Sequence, residues 1–130
     1  MKKVLIALFL LFGALHAEMI KTYPSQKLLQ MHIPIVDIRT PQEWRETGLL
    51  KGSIPIMFFD EKGNYNIQKF LKELNKRVDT SKPFAIICRT GSRTSMLAPF
   101  LSQQLGYTVI DLVGGIMEAK KRGLPFTPYM

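Results

Sequence analysis

The sequence holds a single cysteine, Cys88, in 130 residues. No intramolecular disulfide can form, although small exported domains often rely on them, so the thiol needs a reason other than cross-linking. Histidine is nearly as scarce, with His16 and His32 as its two occurrences. His16 falls in an N-terminal apolar segment, and His32 stands before an expected strand as a structural or surface residue, so a Cys-His pairing has little to rest on. No set of cysteine, histidine and carboxylates has metal-ligand spacing, and neither a metal nor another cofactor is expected. Acidic residues are outnumbered, 10 against 18 lysines and arginines, for a formal charge of +8. That balance favours anionic partners. Because no basic block is interleaved with aromatics, nucleic acid is excluded from the expected partners and small anions are retained.

At the N-terminus, Lys2 and Lys3 precede an apolar run from Val4 to Leu15, and Leu15-His16-Ala17 then offers a cleavage site. Residues 1 to 17 read as a secretory signal peptide, which makes the remainder an exported, periplasmic domain. The run is about half of the roughly 20 residues a spanning helix needs, so cleavage leaves no stable membrane span; retention as an anchor is the alternative. Residues 18 to 130 suffice for one domain with one core.

No repeat, linker or low-complexity tract divides that stretch. Its apolar runs alternate between strand-like and helix-like periods, which predicts an open α/β domain with a mainly parallel sheet. Ser25 caps a short helix from Gln26 to Met31, and Ile33 to Ile38 is a β-branched run fit for a buried strand. Thr40, Pro41 and Glu43 together form an N-terminal helix signature, with the helix reaching about Thr47 and ending at Gly48. A strand is expected from Ile54 to Phe59, then a helix through Ile67, Phe70, Leu71 and Leu74 to about Arg77. Phe84 to Ile87 is continuously apolar and reads as a central strand that delivers Cys88 at its carboxyl end, where open α/β sheets bind ligands. A helix from Arg93 or Thr94 to Leu105 carries Pro99, expected to kink it, and Gly106 caps it. Tyr107 to Val113 forms a last strand, and Gly114-Gly115 turns the chain into a helix through Lys121.

A strand that stops at Cys88 and a helix that starts about five residues later curl the backbone between them around the sulfur, so that successive N–H groups face one centre. Gly91 supplies a turn with positive φ, the helix dipole and the cations Arg89 and Arg93 add positive potential, and Thr90, Ser92 and Thr94 offer hydroxyls. This environment favours the thiolate over the thiol. Loop length then separates two chemistries. A tyrosine phosphatase places five residues between its cysteine and arginine, but Thr94 occupies the sixth position after Cys88 and Arg93 comes one residue early. The tighter ring suits one added sulfur atom, with backbone donors stabilising the terminal charge of Cys-S-S⁻.

The ordered set of Asp37-Ile38-Arg39 followed by Pro41, Glu43 and Trp44, the Cys-x-x-Gly-x-Arg loop from Cys88 to Arg93, and Gly114-Gly115-Ile116 resembles the rhodanese family. The similarity runs from about Ser25 to Pro125. The resemblance implies a doubly wound open parallel sheet flanked by helices and Cys88 as the catalytic nucleophile. It also implies a substrate-binding cradle of Arg89, Thr90, Gly91, Ser92 and Arg93. The implied activity is that of a thiosulfate sulfurtransferase, moving a sulfane sulfur from a donor such as thiosulfate or polysulfide to a thiophilic acceptor through a Cys88 persulfide. Small anionic sulfur compounds and a thiol protein acceptor are the implied partners. Asp37 and Arg39 are read as scaffold, engaged in hydrogen bonding and ion pairing at a strand end and helix start. The chain departs from the family at Gly48-Leu49-Leu50-Lys51-Gly52-Ser53, where Gly-His-Ile-x-Gly-Ala is usual, and at Ala119, where a tryptophan is common. Both departures lie outside the loop and bear on the pocket rim rather than on the nucleophile. The alternatives are a persulfide carrier or binding module without turnover, a phosphatase or arsenate reductase, and a loop that merely caps a helix.

Overall fold

The computed structural model describes residues 17–130; apart from Ala17, the expected signal peptide lies outside the described residues. The chain runs through β1 (Met19–Thr22), α1 (Gln26–Gln30), β2 (Ile35–Asp37), α2 (Pro41–Thr47), β3 (Leu49–Leu50), β4 (Ile54–Pro55) and α3 (Ile67–Arg77). It continues through β5 (Phe84–Ile87), α4 (Ser92–Pro99), β6 (Val109–Leu112), α5 (Gly115–Lys121) and β7 (Phe126–Thr127). Five strands form one sheet in the order β1-β6-β5-β2-β4, and every pairing in it is parallel. The expected open, doubly wound α/β fold is the observed one.

Helices cover both faces because the buried strands are apolar on both, as parallel sheets require. On one face Val36, Phe84, Ile86 and Val109 pack with Phe70 and Leu74 of α3 and with Leu97 and Ala98 of α4. On the other, Ile35, Ala85, Ile87, Ile110 and Leu112 pack with Leu28 of α1 and with Ile116 and Ala119 of α5. Along β5 the alternation is strict, which fixes the face taken by the next residue, Cys88. Among the described residues no helix is long and apolar enough to cross a membrane.

Local rules account for several boundaries. Ser25 accepts a hydrogen bond from the Leu28 N–H and caps α1, while Thr40 and Glu43 form a reciprocal capping box on α2 with Pro41 at its first turn. Five elements depart from expectation, β1 among them as a strand outside the expected set. The strand expected over Ile54 to Phe59 is assigned only to Ile54–Pro55, although Ile56 and Phe58 still donate to the carbonyls of Asp37 and Ile38 at 3.0 Å each. Proline has no N–H to extend the ladder, and β4 is an edge strand, where that is tolerated. Pro99 does not simply kink its helix: Phe100–Gln104 widens into a π-helical turn, a rearrangement that absorbs the missing donor and the ring's pressure on the preceding turn. Finally, β3 and β7, both unexpected, pair antiparallel as Leu49↔Thr127 and Leu50↔Phe126. Gly48 allows this closeness, since a Cβ there would lie 2.6 Å from the Thr127 carbonyl oxygen.

Candidate active site

Cys88 follows β5 directly, and the alternation of that strand turns its side chain toward the α3 and α4 layer, in one cluster with Phe84 and Ile86. The residue is 0% exposed. Its Sγ is nonetheless not in a purely apolar setting. Gly91, held at φ 100°, directs its N–H at the sulfur at 3.2 Å, and Thr94 Oγ1 lies 3.7 Å away. Thr94 is itself fully buried, and its hydroxyl donates to the Gly91 carbonyl at 3.2 Å. A neutral thiol donates to Thr94 Oγ1. An ionised or persulfidated one can instead accept the hydroxyl proton after a single rotation of that hydroxyl, alongside the amide of Gly91.

The floor of the loop is made by a distant segment. The N–H groups of Ile116 and Met117, in the first turn of α5, donate to the carbonyls of Cys88 and Arg89 at 2.8 and 3.0 Å. This approach requires glycine. Gly115 has φ +60°, and a Cβ on it would fall 2.3 Å from the Cys88 carbonyl oxygen and 2.7 Å from the carbonyl of Arg89. The double glycine, visible in the sequence as a turn, is thus also the support of the thiol loop.

The side of the loop is fixed by an ion pair. Arg93 Nη1 and Nη2 meet Glu43 Oε1 and Oε2 at 2.7 Å each, the fork geometry that arginine offers a carboxylate. Burial pushes the Glu43 carboxyl up, but the hydrogen bonds from Arg93 and the Thr40 backbone, with the charges of Arg93 and Arg39, outweigh it and hold Glu43 below the ordinary glutamate range. The hydrogen bonds to Glu43 raise the affinity of Arg93 for its proton against an opposing effect of burial, and the charge of Glu43 adds to that rise.

Behind Glu43, Arg39 and Asp37 form a fully buried pair at 2.8 Å. Arg39 also donates to Thr47 Oγ1 at 2.8 Å and to the Gly48 carbonyl at 3.0 Å, and Trp44 Nε1 donates to Asp37 Oδ1 at 3.1 Å. One buried cation therefore ties the end of β2 to the far end of α2, so that α2 presents Glu43 to the loop at a fixed angle. This is the scaffold arrangement expected of Asp37 and Arg39.

Of the residues read from sequence as the cradle, the structure brings the Gly91 amide to the sulfur and holds Arg93 beside it through Glu43. Arg89, Thr90 and Ser92 are exposed, and Arg89 has no ion-pair partner among the described residues. Arg93 is not a free cation. Glu43, read as a helix cap and as one of the ordered set of motif residues, is its partner across 50 positions of sequence, and nothing in the local pattern signals that contact. Among the described residues no group of three or more His, Cys, Asp or Glu comes together as a metal-ligand set.

A family model described as a rhodanese-like domain matches residues 16–122. An uncharacterized protein of Rickettsia prowazekii (strain Madrid E) is 33% identical over 76 residues, which cover 56% of this chain and 59% of that relative's length. Among solved structures, a rhodanese-related protein from Thermoplasma volcanium is similar at 26% identity and a TM-score of 0.64, covering 85% of this chain and 99% of that one. The polysulfide-sulfur transferase homodimer from Wolinella succinogenes is similar at 25% identity and a TM-score of 0.64, covering 98% and 92%. A protein from M. tuberculosis shares the fold at 20% identity and a TM-score of 0.68, covering 87% and 99%.

Proposed function

Starting from the chain's membership of the family of rhodanese-like domains, we propose that it is a sulfurtransferase that carries a sulfane sulfur on Cys88. The observation that carries this reading is the Gly91 N–H aimed at Sγ from 3.2 Å, in a loop whose shape is enforced from below by Gly115 and from the side by Glu43 and Arg93. An inert core cysteine needs no such donor.

In the first step the Cys88 thiolate attacks the outer sulfur of thiosulfate. The S–S bond of thiosulfate breaks, its electron pair leaves with sulfite, and Cys88-S-S⁻ remains. In the second, a thiophilic acceptor such as cyanide bonds to the outer sulfur, the new S–S bond breaks, and its electrons return to Sγ as thiolate. The Gly91 amide, already aimed at Sγ, needs no reorganisation as the negative charge moves between these sulfurs. Arg89 faces solvent at the loop and is the cation that draws the anionic donor in.

The complete burial of Cys88 favours a second reading, in which a loaded sulfur is held and released only to a partner, so that the chain serves as a carrier for a thiol protein. Intact mass spectrometry after thiosulfate or polysulfide treatment tests both. The proposal expects a gain of one sulfur mass, absent from Cys88→Ser, and no gain with either donor refutes it. Repeated release of thiocyanate with cyanide marks an enzyme, and a single equivalent marks a carrier. We extend the proposal to export through residues 1 to 17, which predicts a mature N-terminus at Glu18 when periplasmic protein is sequenced.

A further inference from the structure

A cavity of about 380 Å³ lies between α3 and the segment that follows β4. No described residue of the thiol loop lines it. Its floor is apolar core: Ile56, Phe58 and Phe70 are buried, and Phe58 meets Phe70 edge-on at 5.0 Å. Tyr65, 58% exposed, stacks on Phe58 at 5.2 Å and forms one lip. The rim carries charge of both signs, Asp60 and Glu73 against Lys69, with Asn64 and Asn66 beside them. Lys69 and Glu73 stand one turn apart on α3, where opposite charges can pair, although lysine ahead of glutamate is the less favourable order. Among the described residues neither enters an ion pair. Asp60 accepts the N–H groups of Lys62 and Asn64 on its Oδ1 at 2.9 Å each, and this turn fixes its carboxylate at the rim.

We infer that this cavity binds a small zwitterion of the amino-acid kind, an ammonium and a carboxylate on one apolar body. The floor receives the body, and the stack of Tyr65 on Phe58 extends that apolar surface toward solvent. The rim selects the charges. A bare cation drawn by Asp60 and Glu73 is repelled by Lys69, and a bare anion drawn by Lys69 is repelled by the two carboxylates; a molecule that carries both signs pairs with each. Its carboxylate faces Lys69, and its ammonium faces Glu73 and Asp60. Asn66 commits Oδ1 to the Lys69 N–H at 3.0 Å, so its amide nitrogen is left to donate, as a bound carboxylate requires. Capacity sets the size. About 150 Å³ suffices for a benzene ring, so the cavity of about 380 Å³ admits an amino acid with an aromatic or branched side chain. Core packing explains the aromatic floor, but it gives no reason for three charges of mixed sign to stand around an open hollow without pairing among the described residues. Binding here does not depend on Cys88 carrying sulfur, so this inference and the proposed function fail separately.

Amide-resolved NMR of the full chain reads binding and its place together. L-phenylalanine is titrated beside L-phenylalaninamide, which keeps the ammonium and lacks the carboxylate, and N-acetyl-L-phenylalanine, which keeps the carboxylate and lacks the ammonium. Glycine keeps both charges and lacks the body. L-phenylalanine is expected to bind at least about fivefold more tightly than each of the others, the scale of one partly exposed charge contact, with the largest shifts at the amides of Asn64, Lys69 and Glu73. Lys69→Gln is expected to bring L-phenylalanine and its amide together while the N-acetyl compound stays weaker, and Glu73→Gln to narrow the gap to the N-acetyl compound alone. No shift with L-phenylalanine up to its solubility limit overturns the inference, as do shifts that centre elsewhere, equal affinities for all four compounds, or variants that move both ratios alike. Binding of the amide or the N-acetyl compound as tight as that of the free amino acid also overturns it, since the cavity then takes the end of a peptide chain.

Discussion

Replacing Gly115 by alanine tests whether the double glycine supports the thiol loop or merely turns the chain. The added Cβ meets backbone, the Cys88 carbonyl oxygen at 2.3 Å and the Arg89 carbonyl at 2.7 Å, and no side chain can swing aside to relieve it. The left-handed φ of +60° costs an L-residue about 1–2 kcal/mol, and forcing atoms into filled space adds about 1–3 kcal/mol. The total, about 2–5 kcal/mol, is below the roughly 5–15 kcal/mol that holds a domain folded, so the variant folds with a displaced loop. Gly123 supplies the control, with φ +71° and nothing within 4 Å of its virtual Cβ. Gly123→Ala therefore incurs only the backbone term. Urea unfolding followed by Trp44 fluorescence is expected to place the Gly115→Ala midpoint below that of Gly123→Ala by about 1 M, since the overpacking term is about 1–3 kcal/mol and small domains lose about 1–3 kcal/mol per molar urea. Sulfur loading by mass spectrometry is expected to slow at least about tenfold in Gly115→Ala, the equivalent of losing one hydrogen bond to a charged group, and to be unchanged in Gly123→Ala. Coincident midpoints, or full-rate loading by Gly115→Ala, refute the idea that α5 holds the loop in shape.

Three further outcomes are expected. Glu43→Gln lowers stability at pH 7 by about 1 kcal/mol, a value tempered by the partial exposure of the pair. Because folding holds the Glu43 carboxyl below its ordinary value of 4.5, its contribution is complete above that value and fades as pH falls through the lower folded-state value. Urea midpoints of the two proteins therefore draw together as pH falls below 4.5, and a gap that stays constant from pH 7 into acid contradicts the pairing. Arg39→Met strands Asp37 in the core and costs about 3–5 kcal/mol, measured by the same unfolding assay; a loss under 1 kcal/mol shows that the pair is dispensable. Thr94→Val keeps the shape of the buried side chain but removes the hydroxyl near Sγ, so loading slows about tenfold while thermal stability moves little; an unchanged rate removes Thr94 from the site.

The parts of the fold that the sequence displays are those set by short-range rules. Ser25, Thr40, Pro41 and Gly48 act within one turn of their helices, and Phe84 to Ile87 is apolar on both faces, so these boundaries can be read residue by residue. The strand β1 escapes because all four of its residues are exposed and carry no burial period. The pair β3 and β7 escapes because two-residue strands have no period at all and exist only through each other. At the site, the Cys-x-x-Gly-x-Arg spacing predicts the curl of the backbone and the amide of Gly91. It does not predict that Arg93 is bound to Glu43, because that contact depends on how α2 is set against α4 by the buried Arg39. The expectation of a polar setting for Cys88 is half met. Strand alternation carries the side chain to the apolar face, and the loop brings polar atoms to it there.

The hydrogen bonds from Ile116 and Met117 to the carbonyls of Cys88 and Arg89 also order events in the life of the chain. During synthesis the thiol emerges before the residues that shape its surroundings, and until Gly114 to Met117 arrive it is an ordinary cysteine in an unfinished sheet. Under the proposed function, reactivity is thereby delayed until Met117 has been made, and a nascent chain stalled before Gly114 carries the thiol without the loop that would activate it.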